Sequence, residues 1–587
     1  MGMEKFFFCY SNDELKIKDP KGLTFGSFEG GYYAASEQGK DVGDLFILPF
    51  GQVICPGRTG EDTYSLIADL YQEFGLKFAD QLEGAFGLVI LDKKLDKVFL
   101  YRDKFGIKEL LFTDTGSVFA ATNIASEIYL RLDIKKQFNP KKNLIFVGSH
   151  YRHFEDPRGD SFFEGVYGVL HSEYVEYSKK AVSRNRYWDL ELLDLSEVPY
   201  EELKEEYLSR IKSSVSDRLQ FCENPGFTIS SGMDSSSVAY FASEVLERKV
   251  DLFTTVYAED TEYNEHEDIV EIAAQVGRSW EHVMVTGEHT NKYMSVVTEK
   301  ANAPFATITQ LLHFYVAEQA KEKGHDALFG GLGGDEANCG EIEEYMFFFA
   351  DLLQRGLGGR LHEEMEGWIK YHATEQYPKS EAVFNEYAAK YIDYDVPGYN
   401  RCDTERFSKY FFVFKDDFLE ENVSDPTMER PYSSYVRNRL YQDLFNEAIP
   451  CVLRAESFSG NYVGIDCQYP YLDSRVIQYG FSIPLELKYR DGITKMPLRD
   501  AMTGKVPDST ISNFFKRGWN APFGEWLKVY FLPHVEKLLD NPTERMEQVY
   551  KIESIRGLLK EHLDGKENHM MFFWQFLNYE AWIEANS

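Results

Sequence analysis

The sequence of 587 residues predicts an α/β protein with two parts, and three observations lead to this fold class. Residues 1–190 carry short strand-like segments separated by glycine-rich turns. From about residue 200, helical patterns alternate with short apolar strands. A loop rich in serine and glycine follows the first of those strands. We therefore expect one domain over residues 1–190 and a second over 200–587, joined by an acidic connector.

A β-hairpin is the clearest element of the first part. Between Phe86 and Asp103, two apolar runs flank the polar turn DKKLDK. Such a pair buries one face of each strand and leaves the turn in solvent. The first part is therefore expected to contain antiparallel sheet.

The second part has the pattern of a parallel sheet. Helices between consecutive strands require right-handed crossovers and predict a doubly wound arrangement. The segment YEELKEEYLSRIKSSVSDRL predicts a helix before the first strand, and the chain from about Glu341 is mostly helical and rich in aromatic residues. This last third is expected to be a helical extension of the sheet. The predicted strands are Gly226–Ile229, Leu252–Tyr257, Trp280–Val285 and Ala327–Gly330.

The charge and the cysteines limit the classes of partner and compartment. Lys and Arg number 63 and Asp and Glu number 96, which gives a formal net charge of −33. A field of this sign repels nucleic acids and anionic membranes. No apolar run reaches the ~18 residues that a membrane-spanning helix needs. The seven cysteines are scattered and contain no CxxC pair, as expected of reduced thiols in a cytoplasmic protein.

The segment ISSGMDSSS, residues 229–237, has the features of a phosphate-binding loop. It follows a strand and opens a helix, which is where open parallel sheets bind ligands. Gly232 lets the backbone approach an anion, and the first N–H groups of the helix donate to it. Asp234 would be repelled by a bare phosphate, so we expect Mg²⁺ between the two. The hydroxyls expected to donate to phosphate oxygens are those of Ser230, Ser231, Ser235 and Ser236.

This loop resembles the SGGxDSS motif of the PP-loop ATPases. Members of that group cleave ATP between the α- and β-phosphates, and the loop holds the departing pyrophosphate. The segment is neither a Walker A loop nor a GxGxxG fingerprint. Ser231 stands where the first of the paired glycines is usual, which is acceptable if its φ is negative. A serine-rich helix N-cap without a ligand is the structural alternative.

Further segments resemble those of asparagine synthetases, in the same order along the chain. GGLGGDEANCG, residues 330–340, resembles their second magnesium–pyrophosphate segment. YPYLDSRVIQYGFSIPLELKYRDGITKMPLRDAM and KRGWNAPFGEWL resemble two later segments. The resemblance covers residues from about 205 to 530. It implies a PP-loop sheet of the HUP type over residues 200–587, with ATP and Mg²⁺ as cofactors.

The resemblance also implies a reaction and its residues. ATP and a carboxylate give an acyl-adenylate and pyrophosphate, and a nitrogen nucleophile then displaces AMP. Asp335 matches the metal-binding aspartate, so Asp234 and Asp335 are expected to hold Mg²⁺. Lys495 is expected to stabilise negative charge beside the adenylate, the alternative being a solvated loop lysine. Arg499 and Arg517 are weaker phosphate contacts, and Arg499 could instead pair with an acid for structure. The resemblance places backbone groups near Ile229 and Val256 beside the adenine. The other residues expected at the nucleotide are Gly331, Gly333, Gly334 and Lys516.

The first part resembles the glutaminase domain of the same synthetases. Leu82–Phe112 carries this likeness, which implies an αββα sandwich of the N-terminal-nucleophile hydrolase type. That fold uses an N-terminal cysteine as nucleophile, with the free amine as base. Position 2 here is Gly2, and Cys9 lies inside an apolar strand. The glutamine-holding NGEIYN segment is also absent. We therefore expect the domain to keep its fold without glutaminase activity.

Loss of glutaminase moves the expected nitrogen source to the substrate itself. Beta-lactam synthetases, carbapenam synthetases and lasso-peptide cyclases show the same loss and form rings. The leading interpretation is a macrolactam-forming cyclase of natural-product biosynthesis, acting on a precursor peptide with a leader-binding or protease partner, and a homodimer is one option for its assembly. Ammonia-dependent amidation of aspartate or another small acid is the second interpretation. A tRNA-modifying PP-loop enzyme and an inactive binding protein are the remaining alternatives.

The side of the site that receives the amine differs from the relatives. Leu332 occupies the position, three residues before the metal-binding aspartate, where beta-lactam-forming relatives place a tyrosine and asparagine synthetases an acid. A leucine cannot deprotonate an amine. Thr307 replaces an aspartate in the segment PFATITQLL, so the carboxylate pocket is expected to have changed as well. A base, where one is needed, is sought by position among Glu299, Glu341, Glu343, Glu344 and Tyr345.

Overall fold

The computed structural model describes the chain except for residues 1–2, 12–23, 29–30, 37, 59, 151–157, 179–180, 259–260, 262, 342, 375–377, 424–427 and 515–519. Its strands are β1 Phe6–Tyr10, β2 Thr24–Phe28, β3 Gly31–Ala35, β4 Lys40–Val42, β5 Leu45–Ile54, β6 Glu83–Asp92, β7 Lys97–Arg102, β8 Leu111–Asp114, β9 Phe119–Thr122, β10 Tyr167–Gly168, β11 Glu173–Ser178, β12 Ala181–Arg186, β13 Pro225–Thr228, β14 Val250–Tyr257, β15 Gly277–Val285, β16 Ala327–Phe329, β17 Ile392–Asp393, β18 Tyr399–Asn400 and β19 Asp466–Gln468.

Helices account for most of the remaining chain. They are α1 Thr63–Phe74, α2 Ala125–Leu132, α3 Pro140–Gly148, α4 Tyr200–Leu219, α5 Met233–Val245, α6 His266–Val276, α7 Gly287–Lys300, α8 Leu312–Glu322, α9 Gly334–Asn338, α10 Glu344–Gln354, α11 Gly358–His372, α12 Glu381–Tyr391, α13 Cys402–Ser408, α14 Asp416–Asn422, α15 Tyr435–Phe445, α16 Ala448–Val463, α17 Ser474–Ser482, α18 Leu485–Lys488, α19 Met496–Met502, α20 Asp508–Ile511, α21 Phe523–Trp526, α22 Leu532–Asp540, α23 Glu544–Val549, α24 Ile552–Leu563 and α25 Met570–Asn586.

Two antiparallel sheets of six strands stack on each other in the first part. Their orders are β10-β8-β9-β1-β3-β2 and β12-β11-β7-β6-β5-β4. Alternation along β1 explains the layering, because successive side chains of a strand point to opposite faces. Phe6 and Phe8 pack between the sheets, whereas Phe7 and Cys9 pack on the outer face against α2 and α3. Helix α1 covers the outer face of the second sheet. The predicted αββα sandwich is therefore confirmed.

The hairpin predicted between Phe86 and Asp103 is present as β6 and β7. The two strands pair antiparallel with Asp92 opposite Lys97, so the polar residues between them form the turn. Asp96 in that turn has a φ of 55°. Both strands are buried because the other sheet covers one of their faces and α1 covers the other. The apolar runs on either side of one polar turn were therefore sufficient to place this element.

A parallel sheet forms the centre of the second part, in the order β15-β14-β13-β16-β19. Helices α5 and α6 pack on one face with Phe227 and Leu252, and α8 packs on the other with Phe253 and Leu328. The predicted doubly wound sheet is confirmed. The four predicted strands agree with β13 to β16 to within three residues at each end. The fifth, β19, was missed because its three residues DCQ carry no apolar pattern.

The helical extension packs around the sheet and against the first part. In α25, Trp574 and Trp582 are fully buried, and their indole N–H groups donate to backbone carbonyls in the segment between α7 and α8. Lys104, on a turn of the first part, donates to Ser474 Oγ at 2.9 Å and to Glu83 Oε1 at 2.8 Å. In the part of the chain that the structure describes, no helix is both long and apolar enough to cross a membrane.

Candidate active site

The loop between β13 and α5 forms a cradle at the carboxyl end of the parallel sheet. Its serines hold one another: Ser230 Oγ and Ser235 Oγ lie 2.9 Å apart, and the Gly232 N–H donates to Ser230 Oγ at 3.2 Å. Ser231 does not have a positive φ, so the serine in place of glycine causes no backbone strain. Ser236 Oγ is buried and has no hydrogen-bond partner within the described residues. The loop is thus folded to present donors at the start of a 13-residue helix.

The segment that follows β16 packs directly on this loop. A Cβ atom on Gly331 would lie 2.6 Å from the backbone nitrogen of Ser235, and one on Gly334 would overlap the Asp234 carboxylate. Gly333 has a φ of 95°, which suits glycine at the start of α9. The glycines predicted at the phosphates therefore allow the two loops to meet backbone to backbone. This close approach brings Asp335, the second residue of α9, towards Asp234.

Lys495 joins the two aspartates. Its ammonium forms ion pairs with Asp234 and, at 2.6 Å, with Asp335 Oδ1. The lysine is only 6% exposed and has a φ of 60° at the start of α19, so its backbone is held in a conformation that non-glycine residues rarely adopt. Three residues predicted for the site, each from the start of a different helix, are therefore in contact.

The side chains at this site fit a magnesium-bound nucleotide. Among the described residues, no group of three or more His, Cys, Asp and Glu side chains could enclose a metal ion. Mg²⁺ bound with a nucleotide needs only one or two carboxylates, because phosphates and water supply its other ligands. Asp234 and Asp335 would be those carboxylates. Ser236 Oγ and the helix N–H groups would face the phosphate oxygens.

Ile229, which directly follows β13, and Val256, on the neighbouring strand β14, were predicted beside the adenine and lie at the same end of the sheet. The Ile229 N–H donates to the Phe253 carbonyl at 3.0 Å, and the Ile229 carbonyl accepts from Thr254 Oγ1 at 2.9 Å. Both residues are buried. They lie at the carboxyl ends of two internal strands, next to the phosphate cradle, where a nucleotide that contacts both would bind.

Comparison with known proteins identifies the family of this chain. The asparagine synthase family model matches residues 206–584, which is more than half of the sequence. The chain belongs to the asparagine synthase family. A glutamine amidotransferase domain model matches residues 56–188. Membership of this family supports the predicted enzyme class, a ligase that forms C–N bonds with conversion of ATP to AMP and pyrophosphate.

Three curated relatives show how far the similarity extends. Glutamine-hydrolysing asparagine synthetase 2 of Bacillus subtilis (strain 168) is 28% identical over 460 residues, covering 76% of this chain and 57% of the relative. Glutamine-hydrolysing asparagine synthetase 1 of the same strain is 23% identical over 566 residues, covering 90% and 82%. Amidase chyE of Penicillium rubens is 24% identical over 511 residues, covering 80% and 74%. The chain thus spans little more than half the length of the first of these relatives.

The two cysteines of the first part, Cys9 and Cys55, are both buried. Cys9 is fully buried within β1, and burial raises the pKa of its thiol to about 12. Cys55 is also buried, and burial raises the pKa of its thiol too. The thiolate is the reactive form of cysteine, so neither side chain is poised to attack an amide. The interpretation of Cys9 as a core residue of an apolar strand agrees with this position.

Several weaker candidates serve structural roles or lie outside the described residues. Arg499 donates to the backbone carbonyls of Thr494 and Asn513, both at 3.0 Å, and to a third carbonyl, and among the described contacts it forms no ion pair with an acid. Thr307 caps a short 3-10 helix together with Gln310. Lys516 and Arg517 fall within residues 515–519, outside the described part.

The residues considered as a base differ in their surroundings. Glu299 is exposed on α7, and Glu343 is held by Arg406 and Tyr387. Tyr345 donates its hydroxyl to the Gly492 carbonyl at 2.8 Å. The backbone N–H of Glu341 donates to Oε2 of Glu344, the buried first residue of α10, at 3.0 Å.

Buried carboxyl groups gather beside Asp335. Glu344 is 1% exposed, and burial together with the charge of Glu341 raises the pKa of its carboxyl well above the usual range. Burial and the charge of Asp335 do the same to the pKa of Glu336. A raised pKa makes a carboxylate a stronger proton acceptor. Glu336 was not predicted, although its position next to the metal-binding aspartate was a usable signal.

Two further residues at the cradle were missed by the sequence analysis. Glu265, just before α6, accepts hydrogen bonds from the N–H of Ser231 at 3.2 Å and from its hydroxyl at 3.1 Å. Asn513 donates its amide to the Ser231 carbonyl at 3.3 Å. Each of these contacts depends on the path of a loop, so no periodic pattern in the sequence predicts it.

Proposed function

We propose that this protein is an ATP-dependent amidoligase that works without glutamine hydrolysis. It adenylates a carboxylate with release of pyrophosphate and then joins the acyl group to an amine with release of AMP. Our preferred reaction is intramolecular, with acid and amine on one substrate, so that the product is a macrolactam. The observation that carries the proposal is the position of Lys495 between Asp234 and Asp335 at the phosphate cradle.

Each residue of the cradle has a task in the adenylation. The cradle N–H groups and serine hydroxyls orient the phosphates of ATP for attack at the α-phosphorus. The Lys495 ammonium stabilises the negative charge that develops there. Asp234 and Asp335 would bind Mg²⁺, which offsets charge on the departing pyrophosphate when bound. The low exposure of Lys495 strengthens these electrostatic effects, because little water screens them.

The nitrogen source is proposed to be an amine rather than glutamine. The sequence places two cysteines in residues 1–190, and both thiols are buried with raised pKa values. Without a reactive thiolate the domain has no means of releasing ammonia from glutamine. We propose that it has become a scaffold, joined to the synthetase sheet by contacts such as that of Lys104 with Ser474.

The surroundings of the acceptor side support a ring-forming reaction. Leu332 is apolar, and Thr307 is used as a helix cap, so neither offers the charges that small amino-acid substrates need. The buried acids Glu336 and Glu344 lie close enough to Asp335 to feel its charge. In its ionised form either acid would accept the proton that the attacking amine loses. The substrate would be a precursor peptide, delivered by a leader-binding or protease partner in the cytoplasm.

Ammonia-dependent synthesis of asparagine is the second candidate function. It is favoured by the similarity to the two Bacillus proteins, which are named asparagine synthetases. The fungal relative is named an amidase. The names of the relatives therefore have amide chemistry in common, but they do not indicate a common substrate. The two candidates differ in the acid that is activated.

Exchange of ³²P-labelled pyrophosphate into ATP distinguishes these functions. The protein is assayed with Mg²⁺ and with aspartate, other small acids or peptides, each with and without ammonia. Exchange with a peptide, followed by loss of one water from that peptide, supports the cyclase. Exchange with aspartate, and asparagine on addition of ammonia, overturns it in favour of asparagine synthesis. Asp335→Asn is the matched control, since it removes a magnesium ligand and should abolish exchange with any acid.

A further inference from the structure

A tight turn precedes Lys495 and sets the direction in which the chain reaches the site. The N–H of Arg490 donates to the Ile493 carbonyl, and the N–H of Ile493 donates to the Arg490 carbonyl, both at 2.9 Å. Asp491 and Gly492 between them have φ values of 52° and 74°. Positive φ at both central residues defines a type I′ turn, for which Asp-Gly is a favoured pair. The turn is therefore a defined element rather than an irregular loop.

Side chains of the helical extension form hydrogen bonds with both the N–H and the carbonyl of Gly492. Its N–H donates to Glu364 Oε2 at 2.8 Å. Its carbonyl accepts from Tyr345 Oη at 2.8 Å and from His372 Nε2 at 2.9 Å, which places the imidazole proton on that nitrogen. The three side chains come from α10 and α11, and all are buried. A buried hydrogen bond to a carboxylate or imidazole is costly to remove.

The turn also rests on the backbone of α11 without a side chain between them. A Cβ atom on Gly367 would overlap the Asp491 carbonyl. A Cβ on Gly492 would overlap the backbone nitrogen of Trp368. Contact at this range leaves no room for the turn to slide along the helix. Hydrogen bonds from α10 and α11 and backbone contact with α11 thus hold Gly492 in place.

Only Ile493 and Thr494 separate Gly492 from Lys495. The Thr494 carbonyl accepts from Arg499 Nε at 3.0 Å, and the Lys495 carbonyl accepts from the Arg499 N–H at 2.9 Å. Lys495 is therefore held at one end by α19 and at the other by the clamp on Gly492. A shift of the turn would be transmitted to the ammonium, because the connecting segment is short and held at both ends.

We propose that Glu364, Tyr345 and His372 are positioning residues that hold Lys495 between Asp234 and Asp335 through their clamp on Gly492. This inference rests on the proposed adenylation, in which Lys495 stabilises charge on the α-phosphate. On this proposal, the helical extension contributes to catalysis by positioning a residue of the site at the end of the parallel sheet. A misplacement of about 1 Å at a reacting group costs on the order of 10²-fold in rate.

The test compares Glu364→Ala, Glu364→Gln and Tyr345→Phe with Glu366→Ala. The glutamine keeps an acceptor for the Gly492 N–H, and the phenylalanine removes one donor from its carbonyl. Glu366 is on the same helix, but its side chain is 71% exposed and pairs only with His362 among the described contacts. The first readout is the rate at which pyridoxal phosphate with borohydride labels Lys495, measured by peptide mass spectrometry without substrate. The second is pyrophosphate exchange, resolved into kcat and the KM for ATP.

We expect Glu364→Ala and Tyr345→Phe to raise labelling of Lys495 about fivefold or more, since weaker ion pairs with the two aspartates let the ammonium lose its proton more easily and give the nucleophilic amine. In the same variants kcat should fall by about 10–10²-fold with little change in KM. Glu364→Gln should restore most of both values, and Glu366→Ala should match the wild type. Unchanged labelling and kcat in folded Tyr345→Phe would overturn the clamp, even if Glu364→Ala fails to fold.

The labelling readout separates this inference from the proposed function. If the wild type shows no exchange with any acid, the adenylation proposal fails. The labelling ratios still decide whether the clamp positions Lys495, because they require neither ATP nor a substrate. A rise in labelling that is equal in Glu364→Ala and Glu364→Gln would contradict the role given to the Gly492 hydrogen bond.

Discussion

Lys495 and Asp335 form an ion pair of 2.6 Å inside the phosphate cradle, and the same ammonium also pairs with Asp234. The two aspartates follow different strands, and Lys495 is 261 residues away from Asp234 in the sequence. At 6% exposure the lysine offsets the repulsion between two carboxylates that little water can screen. One side chain thus serves both the stability of the site and its proposed chemistry.

Replacing Lys495 by methionine should therefore lower both stability and activity. Two carboxylates would be left facing each other, and breaking a buried pair in this way costs about 3–5 kcal/mol. Pyrophosphate exchange should fall by about 10²–10³-fold, the usual loss for one stabilising group at developing charge. Denaturant unfolding and the exchange assay measure the two effects.

Unfolding measured with and without Mg²⁺ provides a control for the Lys495→Met prediction. The metal should stabilise Lys495→Met more than the wild type, because it offers a cation to the two carboxylates. Lys292→Met removes a lysine that is 61% exposed and paired with Glu318, so it should change neither stability nor exchange appreciably. A Lys495→Met protein as stable as the wild type without Mg²⁺ would show that the ion pairs contribute little.

Gly340→Ala should disturb the same site by steric overlap, without changing any charge. A Cβ atom at Gly340 would overlap Asp335 Oδ1 and lie against Lys495. The aspartate must then move, and we expect exchange to fall about tenfold or more. Gly557→Ala, on α24, has open space around its new methyl group and should be neutral or stabilise by about 0.5–1 kcal/mol. Equal effects of both substitutions on exchange would contradict the prediction.

The sequence was sufficient to predict elements with a strong local pattern. The hairpin of β6 and β7 follows from two apolar runs around one polar turn. The strands β13 to β16 follow from apolar segments between helices, and the cradle residues lie where the strands of a parallel sheet end. Asp234 and Asp335 could be placed together by the resemblance because each follows a strand of that sheet.

The residues that support the cradle could not be predicted in the same way. Glu265 reaches Ser231, and Glu364 reaches Gly492, through side-chain contacts with loop backbone. Such contacts have no periodicity, because the path of each loop is set by packing between distant elements. Strand β19 was missed for a related reason, since its pairing with β16 rather than its three residues determines it.

The thiol of Cys9 should neither react with alkylating reagents nor take part in catalysis. Its burial and raised pKa leave almost no thiolate near neutral pH, so iodoacetamide should not label it in the folded protein. Cys9→Ala should leave pyrophosphate exchange unchanged, and neither protein should release glutamate from glutamine. Peptide mass spectrometry and a glutamate assay measure these outcomes. Glutamate release by the wild type that is lost in Cys9→Ala would restore the glutaminase interpretation.

Lys488 should make the stability of the protein rise with pH. It is fully buried, its ammonium donates to the Ala337 carbonyl at 2.8 Å, and burial lowers its pKa to about 8. Between that value and the unfolded pKa of about 10.4, the unfolded chain binds a proton that the native protein lacks, so unfolding becomes harder as pH rises. From about pH 7 to 9.5 the wild type should gain about 2 kcal/mol relative to Lys488→Met in guanidinium unfolding. Lys212→Met, at an exposed site, should follow the wild type. A wild type and Lys488→Met that change in parallel with pH would mean that the native ammonium keeps its ordinary pKa.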